Sequence, residues 1–461
     1  MSGTINTKLR SENRYLAADT DEWNPNRVSK SCYNTEIGST VNEVEEYIYQ
    51  RVRQFVDVWG KPRGENHIFT DKKMKLETTL ESIFEILKKT NWDQGVFEAV
   101  LKRTGFRAGA GISTERIKAA GGFMEPYYYN QMSKAQRTAY HAMKTGLVSL
   151  APSFPVLRLE NHELSDIFFK LRLDCPEIFY AVGFHYRFFP DSGNVEMIPE
   201  YLFEKGKIKE HQKAMKARVE KLCRPAQSLA ERDKEQYIHD FICTHVHYDK
   251  LKKPYSHEII GPLGQGVGVC EGIAKTVKIL CDNLGIWCMI AISDSNPDKN
   301  IKYRHAWNVI KSGGMYYHLD ATFDNTLSDG DMVRYDYFNL DDKQIFRDHE
   351  PVIYKVPQCS DGEKFYYREK KLSFTKTEDV QKRALQAIRK GKPLLFHWRG
   401  GYLTREVLSE LLKLLEGTAR QKGKHARTGL NWPQAVLHVT FIEEAPPEEL
   451  VVEEANEGER Q

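Results

Sequence analysis

Apolar and polar positions alternate along the chain in blocks that predict a succession of helices and short strands. Thr40-x-x-Glu43 is a capping-box signal. It opens a stripe of Val44, Tyr47, Ile48, Val52, Phe55 and Trp59 at helical spacing, stopped by Gly60 and Pro62. Leu80, Ile83, Phe84 and Leu87 predict a second helix over about 71–89, and the five glycines from Gly105 to Gly122 predict a loop around a short helix. Ser133-x-x-Gln136 caps a helix running to about Val148, and another fits His162–Leu171. Two β-rich runs follow, Ile178–Phe189 and Val195–Phe203, around the turn Pro190-Asp191-Ser192-Gly193. A basic helix over about 205–222 completes that unit.

A long helix is expected from about Ala226 to Val246, with Tyr237, Ile238, Phe241 and Ile242 on its apolar face. Beyond residue 370 the order is strand (Leu372–Phe374), helix (about 377–390), strand (Leu394–Trp398), helix (Thr404–Glu416, stopped by Gly417) and strand (Ala435–Ile442). The expected divisions are therefore a helical and irregular region at 1–125, a small α+β unit at 126–225, a core at 226–345, a βαβαβ module at 346–442 and an acidic disordered tail at 443–461.

Composition narrows the function classes. At 461 residues and 53.4 kDa, with 41% apolar and 28% charged residues, the chain has enough material for several buried cores. No stretch reaches the roughly 20 apolar residues of a membrane helix, and the N-terminus lacks an apolar signal region. Eight cysteines are too few for a disulfide scaffold, so a reducing, cytoplasmic setting with free thiols is expected. The net charge of +3 conceals a tail from Glu443 to Gln461 with eight Glu and one Arg, a balance of −7, which leaves +10 on residues 1–442. That excess is spread thinly, without dense Lys/Arg runs, and nucleic acid is not an expected partner.

The stretch GPLGQGVGVCEG (261–272) is where chemistry concentrates. Ile273, Ala274, Val277, Leu280, Cys281 and Leu284 follow at helical spacing, and Gly285 supplies a stop. Cys270 is thereby placed at the first turn of a buried helix, where backbone N–H groups and the helix dipole favour thiolate over thiol. The same N–H groups suit an oxyanion, and the preceding glycines permit close approach of a substrate backbone. Cys281 and Cys288 fall on apolar stripes and read as core residues.

A nucleophilic thiol needs a base and a group that orients the base. HAWNVIKSGGMYYHLDAT (305–322) reads as two strands around a Ser312-Gly313 turn. Lys311 then pairs with Gly314, His305 faces Asp320 and Trp307 faces His318; a concentric four-residue loop keeps that register.

GVCEG before a helix, then HAWN, then YYHLDATF resemble, in order and spacing, the core motifs of the transglutaminase-like superfamily, whose fold is related to papain-type thiol enzymes. YIHDFICTHVHYD (237–249) is similar to the helix preceding the nucleophile in bacterial members. The resemblance covers about residues 226–345. It implies an α+β papain-like core, a helix bearing Cys packed on an antiparallel sheet, flanked by smaller α+β and α/β modules. It also implies Cys270 as nucleophile, His305 as general base and acid, and Asp320 as the orienting carboxylate. Trp307 and Asn308 pack beneath the site, with Trp307 bordering the substrate. Tyr255, His257 and Gln265 are the upstream candidates for an oxyanion donor, while Ile260 stands where an aromatic residue is expected.

The expected function is thiol-dependent acyl transfer at amide bonds of a peptide or protein, with no cofactor or metal. Hydrolysis is favoured over amine transfer, because no stretch announces a shielded acceptor tunnel. A crosslinking transglutaminase and a non-catalytic scaffold on the same fold are the alternatives. The glycines at 264, 266 and 268 match neither phosphate-loop pattern. His239, Cys243 and His247, at i, i+4 and i+8 with His245 nearby, raise zinc binding as a rival to a structural cluster.

Overall fold

The computed structural model describes residues 4–7, 126–299, 301, 303–328, 332–400, 403–444 and 451–453. The helices expected within 40–59 and 71–89, the loop at 105–122 and most of the acidic tail lie outside these residues.

Strand β1 (Thr4–Thr7) is an edge strand. Helix α1 (Lys134–Val148) starts at the expected capping box, with Ser133 Oγ accepting from Gln136 N at 3.3 Å and Gln136 Oε1 accepting from Ser133 N at 3.0 Å. Then come β2 (Phe154–Leu157), α2 (Asn161–Asp174), β3 (Ala181–Phe188) and β4 (Asn194–Tyr201). The four strands form an antiparallel sheet in the order β1-β3-β4-β2. Helix α3 (Lys205–Cys223) keeps its lysines outward and buries Ile208, Met215, Val219 and Cys223. Helix α4 spans Glu231–His245, so it begins later than the expected residue 226. A 3-10 turn over Arg224–Ala226 precedes it, and Glu231 and Asp233 sit in its first turn, where the helix dipole favours acids.

The central layer is helix α5 (Cys270–Leu284) on a second antiparallel sheet made of β5 (Cys288–Ser293), β6 (His305–Ser312), β7 (Met315–Leu319) and, after helix α6 (Ala321–Leu327), β8 (Phe338–Leu340). The sheet order is β8-β7-β6-β5. Ile273, Ala274, Val277, Leu280, Cys281 and Leu284 of α5 are buried, as the spacing predicted, and Gly285 ends the helix at φ 75°. Asn308 Nδ2 ties the sheet to the helix through Ala274 O at 2.9 Å.

The β6–β7 hairpin differs from the expected register. Ser312 pairs with Met315, so the two-residue loop is Gly313-Gly314, one step further along than Ser312-Gly313. Both glycines have positive φ, 58° and 88°, which the tight hairpin turn demands at both central positions. Only Gly313-Gly314 offers two residues that adopt this without strain. The pairing therefore moves by two residues, which preserves the face each side chain occupies. His305 and Asp320 become diagonal rather than directly opposed neighbours.

The C-terminal module comprises β9 (Ser373–Phe374), α7 (Thr377–Lys390), β10 (Leu394–Trp398), α8 (Arg405–Arg420), β11 (His425–Asn431), β12 (Val436–Ile442) and β13 (Val451–Glu453), in the sheet order β9-β10-β12-β11-β13. Two features depart from expectation. Helix α8 continues through Gly417, because Leu415, Thr418 and Ala419 are buried on its inner face. That burial outweighs the roughly 1 kcal/mol a helical glycine costs. Strand β11 has no counterpart in the expected order; its buried residues, Thr428–Asn431, carry little apolar signal.

One hydrophobic cluster runs from Tyr128 to Tyr367 without a break at 225/226 and takes in Val436 of β12, and a second is confined to the C-terminal module. Arg172 of α2 reaches into the first, where it pairs with Glu258. Among the described residues, no helix is long and apolar enough to cross a membrane.

Candidate active site

Cys270 is the first residue of α5, after Val269 in extended conformation (φ −95°, ψ 174°) with no side-chain cap. Val269 N donates to Ser256 O at 3.0 Å. Two glycines accommodate this crossing. A Cβ on Gly272 would collide with Ser256 O, and one on Gly261 would stand 2.6 Å from Val267 O and 2.7 Å from Tyr255 O. These glycines make room for the chain's own 255–258 segment. The Cys270 side chain is buried at the positive end of the helix, with Sγ 4.0 Å from the carbonyl oxygen of Arg304, the residue before His305.

His305 begins β6, and Asp320 follows β7 as the N-cap of α6. His305 Nε2 lies 2.6 Å from Asp320 Oδ2. The other carboxylate oxygen, Oδ1, accepts the backbone N–H groups of Thr322 and Phe323 at 2.9 and 3.0 Å. The carboxylate is thus fixed by its own helix and cannot rotate away from the imidazole. Burial alone would push the Asp320 carboxyl up, but the His305 imidazole and the hydrogen bonds from His305 and His349 hold it well below the usual carboxylate range. The nitrogen of His305 turned away from Asp320 is Nδ1.

Trp307 stacks beneath His305, with ring centroids 5.7 Å apart and planes at 18°. Its indole N–H donates to His318 Nδ1 at 3.0 Å, which commits its single donor.

His349 completes the network and no motif announced it. Its Nε2 lies 2.8 Å from Asp320 Oδ2 and its Nδ1 lies 2.9 Å from Asp348 Oδ1. The ring sits in the loop after the short helix Asp342–Ile345, far beyond the HLDAT segment. The only sequence hint is an isolated histidine beside an acid.

The three upstream candidates occupy different environments. Tyr255 is half-buried on a 3-10 turn, and Gln265 is exposed at the end of the turn Gly261–Gln265. His257 is buried, with Nδ1 3.3 Å from Glu271 Oε2, and its Nε2 makes no hydrogen bond. Glu271, the residue after Cys270, is also paired with Lys275 at 2.7 Å. Burial would raise its carboxyl, but Lys275, His257 and Arg172 hold it well below the usual range.

The zinc alternative is not assembled. His239 is fully buried with Nε2 3.0 Å from Asp324 Oδ2, whereas His245 ends α4 and His247 lies exposed on a separate short strand. Two other groups bring ligand atoms close together among the described residues: His305, Asp320 and His349; and His318, Asp342 and Cys359. In the first, the 2.6 and 2.8 Å separations fit shared protons. Two ligands of one tetrahedral zinc stand about 3.3 Å apart. In the second, Trp307 can only donate, so His318 Nδ1 must accept and the ring proton sits on Nε2, facing Asp342 Oδ1 at 2.9 Å. A protonated nitrogen cannot ligate. Burial holds the His318 ring below its usual range and pushes the Cys359 thiol far up.

Residues 216–321 match the model of the transglutaminase-like superfamily. A solved structure described as "Crystal structure of a TGase" is similar at 11% identity, over 31% of this chain and 44% of that chain, with a TM-score of 0.20. This chain therefore spans less than half of that structure's length. No curated protein matches it. The matched segment holds helix α5 with Cys270, the antiparallel hairpin and the capped carboxylate described above, in a mixed α+β setting. Over residues 216–321 the chain carries a transglutaminase-like core.

Proposed function

We propose that this protein carries out thiol-dependent acyl transfer at amide bonds of a peptide or protein, with Cys270, His305 and Asp320 as its catalytic residues. The observation that carries the reading is the capped Asp320 holding His305 by Nε2 at 2.6 Å, while Cys270 Sγ lies against the carbonyl of Arg304 next door. His305 Nδ1 takes the thiol proton and the thiolate attacks the substrate carbonyl carbon. The tetrahedral oxyanion is stabilised by the first-turn N–H groups of α5. His257 is the upstream side chain best placed in chemistry to assist, since its Nδ1 faces Glu271 and its Nε2 is buried without a partner. His305 then protonates the leaving amine, and a thioester remains on Cys270.

Water or a second amine resolves the thioester, losing its proton to His305, which returns it to the sulfur. Water makes the protein a protease or amidase, the reading favoured here; a lysine amine makes it a crosslinking enzyme. The setting is a reducing compartment, the cytoplasm, in keeping with free cysteines at 175, 223, 243, 270, 281, 288 and 359. The test compares wild type with Cys270→Ala on glutamine-containing peptides, with and without a labelled amine. Product masses from wild type alone, showing cleaved or deamidated peptide, support hydrolysis; label incorporation supports amine transfer. Identical products from the two proteins would overturn the proposal.

A further inference from the structure

One carboxylate oxygen, Asp320 Oδ2, serves two imidazoles: His305 at 2.6 Å and His349 at 2.8 Å. The opposite nitrogen of His349 faces a second carboxylate oxygen, Asp348 Oδ1, at 2.9 Å. Carboxylates only accept, so a ring making both bonds must carry a proton on each nitrogen. Two further groups hold Asp348. Its Oδ2 receives the Tyr337 hydroxyl at 2.5 Å, and Gln434 Nε2 reaches both oxygens at 3.3 and 3.4 Å.

We infer that His349 is a positioning residue, a buried imidazolium clamped between Asp320 and Asp348, which sets the protonation range of His305 and ties that range to the C-terminal module. The titratable groups facing it are Asp320 from the start of α6, His305 from β6, His318 from β7, Tyr337 ahead of β8, and Asp348 beside it. Trp307 and Phe323 cover the rest of the ring. Burial disfavours the charge, but Asp320 and Asp348 outweigh it and raise the ring's affinity for its second proton.

The connection to the C-terminal module runs through the β11–β12 turn. Gln434 donates to Asp348 and to Gln344 O, Asn431 Nδ2 donates to Asp336 at 2.9 Å, and Pro433 O accepts from Arg347 at 3.1 Å. The chain of contacts Gln434–Asp348–His349–Asp320–His305 therefore links the β11–β12 turn to the imidazole beside Cys270.

The consequence rests on the proposed roles of Cys270 and His305. A cation whose ring centroid lies 5.2 Å from that of His305, sharing its acceptor, weakens the hold of Asp320 on the His305 proton. His305 then releases its proton at a lower pH than it would beside an undivided carboxylate.

His349→Gln in the full chain keeps an N–H donor for Asp320 and removes the charge. The readout is the pH profile of Cys270 alkylation by iodoacetate, whose rate falls when the neighbouring imidazolium deprotonates. The alkaline limb should move up by about one pH unit. A merely structural role for His349 would lower the rate without moving the limb, and an unmoved limb overturns the inference. A second measurement needs no active variant. Nitrogen-15 spectra of wild-type histidine rings should contain a ring still cationic at a pH where an ordinary imidazole is neutral, and the variant should lack that ring. A neutral His349 at that pH overturns the inference too. Absence of fast Cys270 alkylation in wild type would instead count against the acyl-transfer reading, leaving the ring spectra to decide the state of His349.

Discussion

Asp320 and Asp324 sit one turn apart at the start of helix α6, both fully buried, each with a histidine ring against one oxygen and backbone N–H groups on the other. Their protonation nevertheless diverges. Asp320 is held well below the usual range. Burial and the nearby Asp336 carboxylate raise Asp324 to about 7, despite His239 and the amide of Tyr337. Two imidazoles face Asp320 and one faces Asp324, and the Asp336 carboxylate adds repulsion at Asp324 even though Arg334 pairs with it. Burial is common to both, so the count of positive partners decides which carboxylate stays charged. A base-orienting role requires the permanently charged one; Asp324 acts as a structural tie between α4, α6 and the segment entering β8.

The largest expected effect separates the pair by activity. Asp320→Asn should lower kcat/KM on a peptide amide by about 10³–10⁴, the range seen when an orienting carboxylate is neutralised. Asp324→Asn should lower it less than about tenfold. Equal losses would dissolve the distinction.

The next effect concerns stability against pH. Asp324 has a folded value near 7 against 3.8 for the free carboxyl, so the folded state binds its proton more tightly. Its favourable contribution is complete below the free value, erodes as pH rises through this window, and is gone above the folded value. Urea unfolding of wild type relative to Asp324→Asn should weaken between about pH 4 and pH 7 and stay level above that. A stability difference independent of pH would mean that Asp324 is charged throughout. Asp320, with its lowered value, acts in the opposite sense: its contribution is present above the free value and is lost only as pH falls below it.

The smallest effect tests the layer beneath His305. Trp307→Phe keeps the stacking but removes the donor to His318 Nδ1. A loss of about 1–3 kcal/mol in unfolding free energy is expected from the orphaned acceptor, with the pH profile of Cys270 alkylation unchanged. A moved profile would bring Trp307 into the titrating network.

Much of this arrangement is legible in the sequence alone, for reasons that mark where legibility stops. The apolar stripe after Cys270 fixes a helix start, and the period of two along a strand keeps His305 and Asp320 on one face even though the turn sits one residue further along. Parity survives an even error; the directly opposed pair did not. The glycines around Cys270 read as room for a substrate, yet Gly261 and Gly272 are needed where the 255–258 segment crosses, a contact between stretches no local pattern links. Strand β11 is missing from the expected order because its pairing with β12, rather than its own apolar content, makes it a strand. His349 was illegible for the same reason: its partners, Asp320 and Asp348, are brought to it by loop geometry, and adjacency to one acid is an ordinary surface pattern.

The central claim is that the Cys270 thiol is ionised by an imidazole that Asp320 holds in place. The most direct measurement is the rate of Cys270 carbamidomethylation by iodoacetamide as a function of pH, followed by peptide mass spectrometry in wild type and His305→Ala. An ion pair predicts a wild-type rate nearly level between about pH 6 and 8, with about a hundredfold advantage over His305→Ala at the acid end. A wild-type rate that climbs tenfold per pH unit towards about 8.5, as an ordinary thiol does, would contradict it.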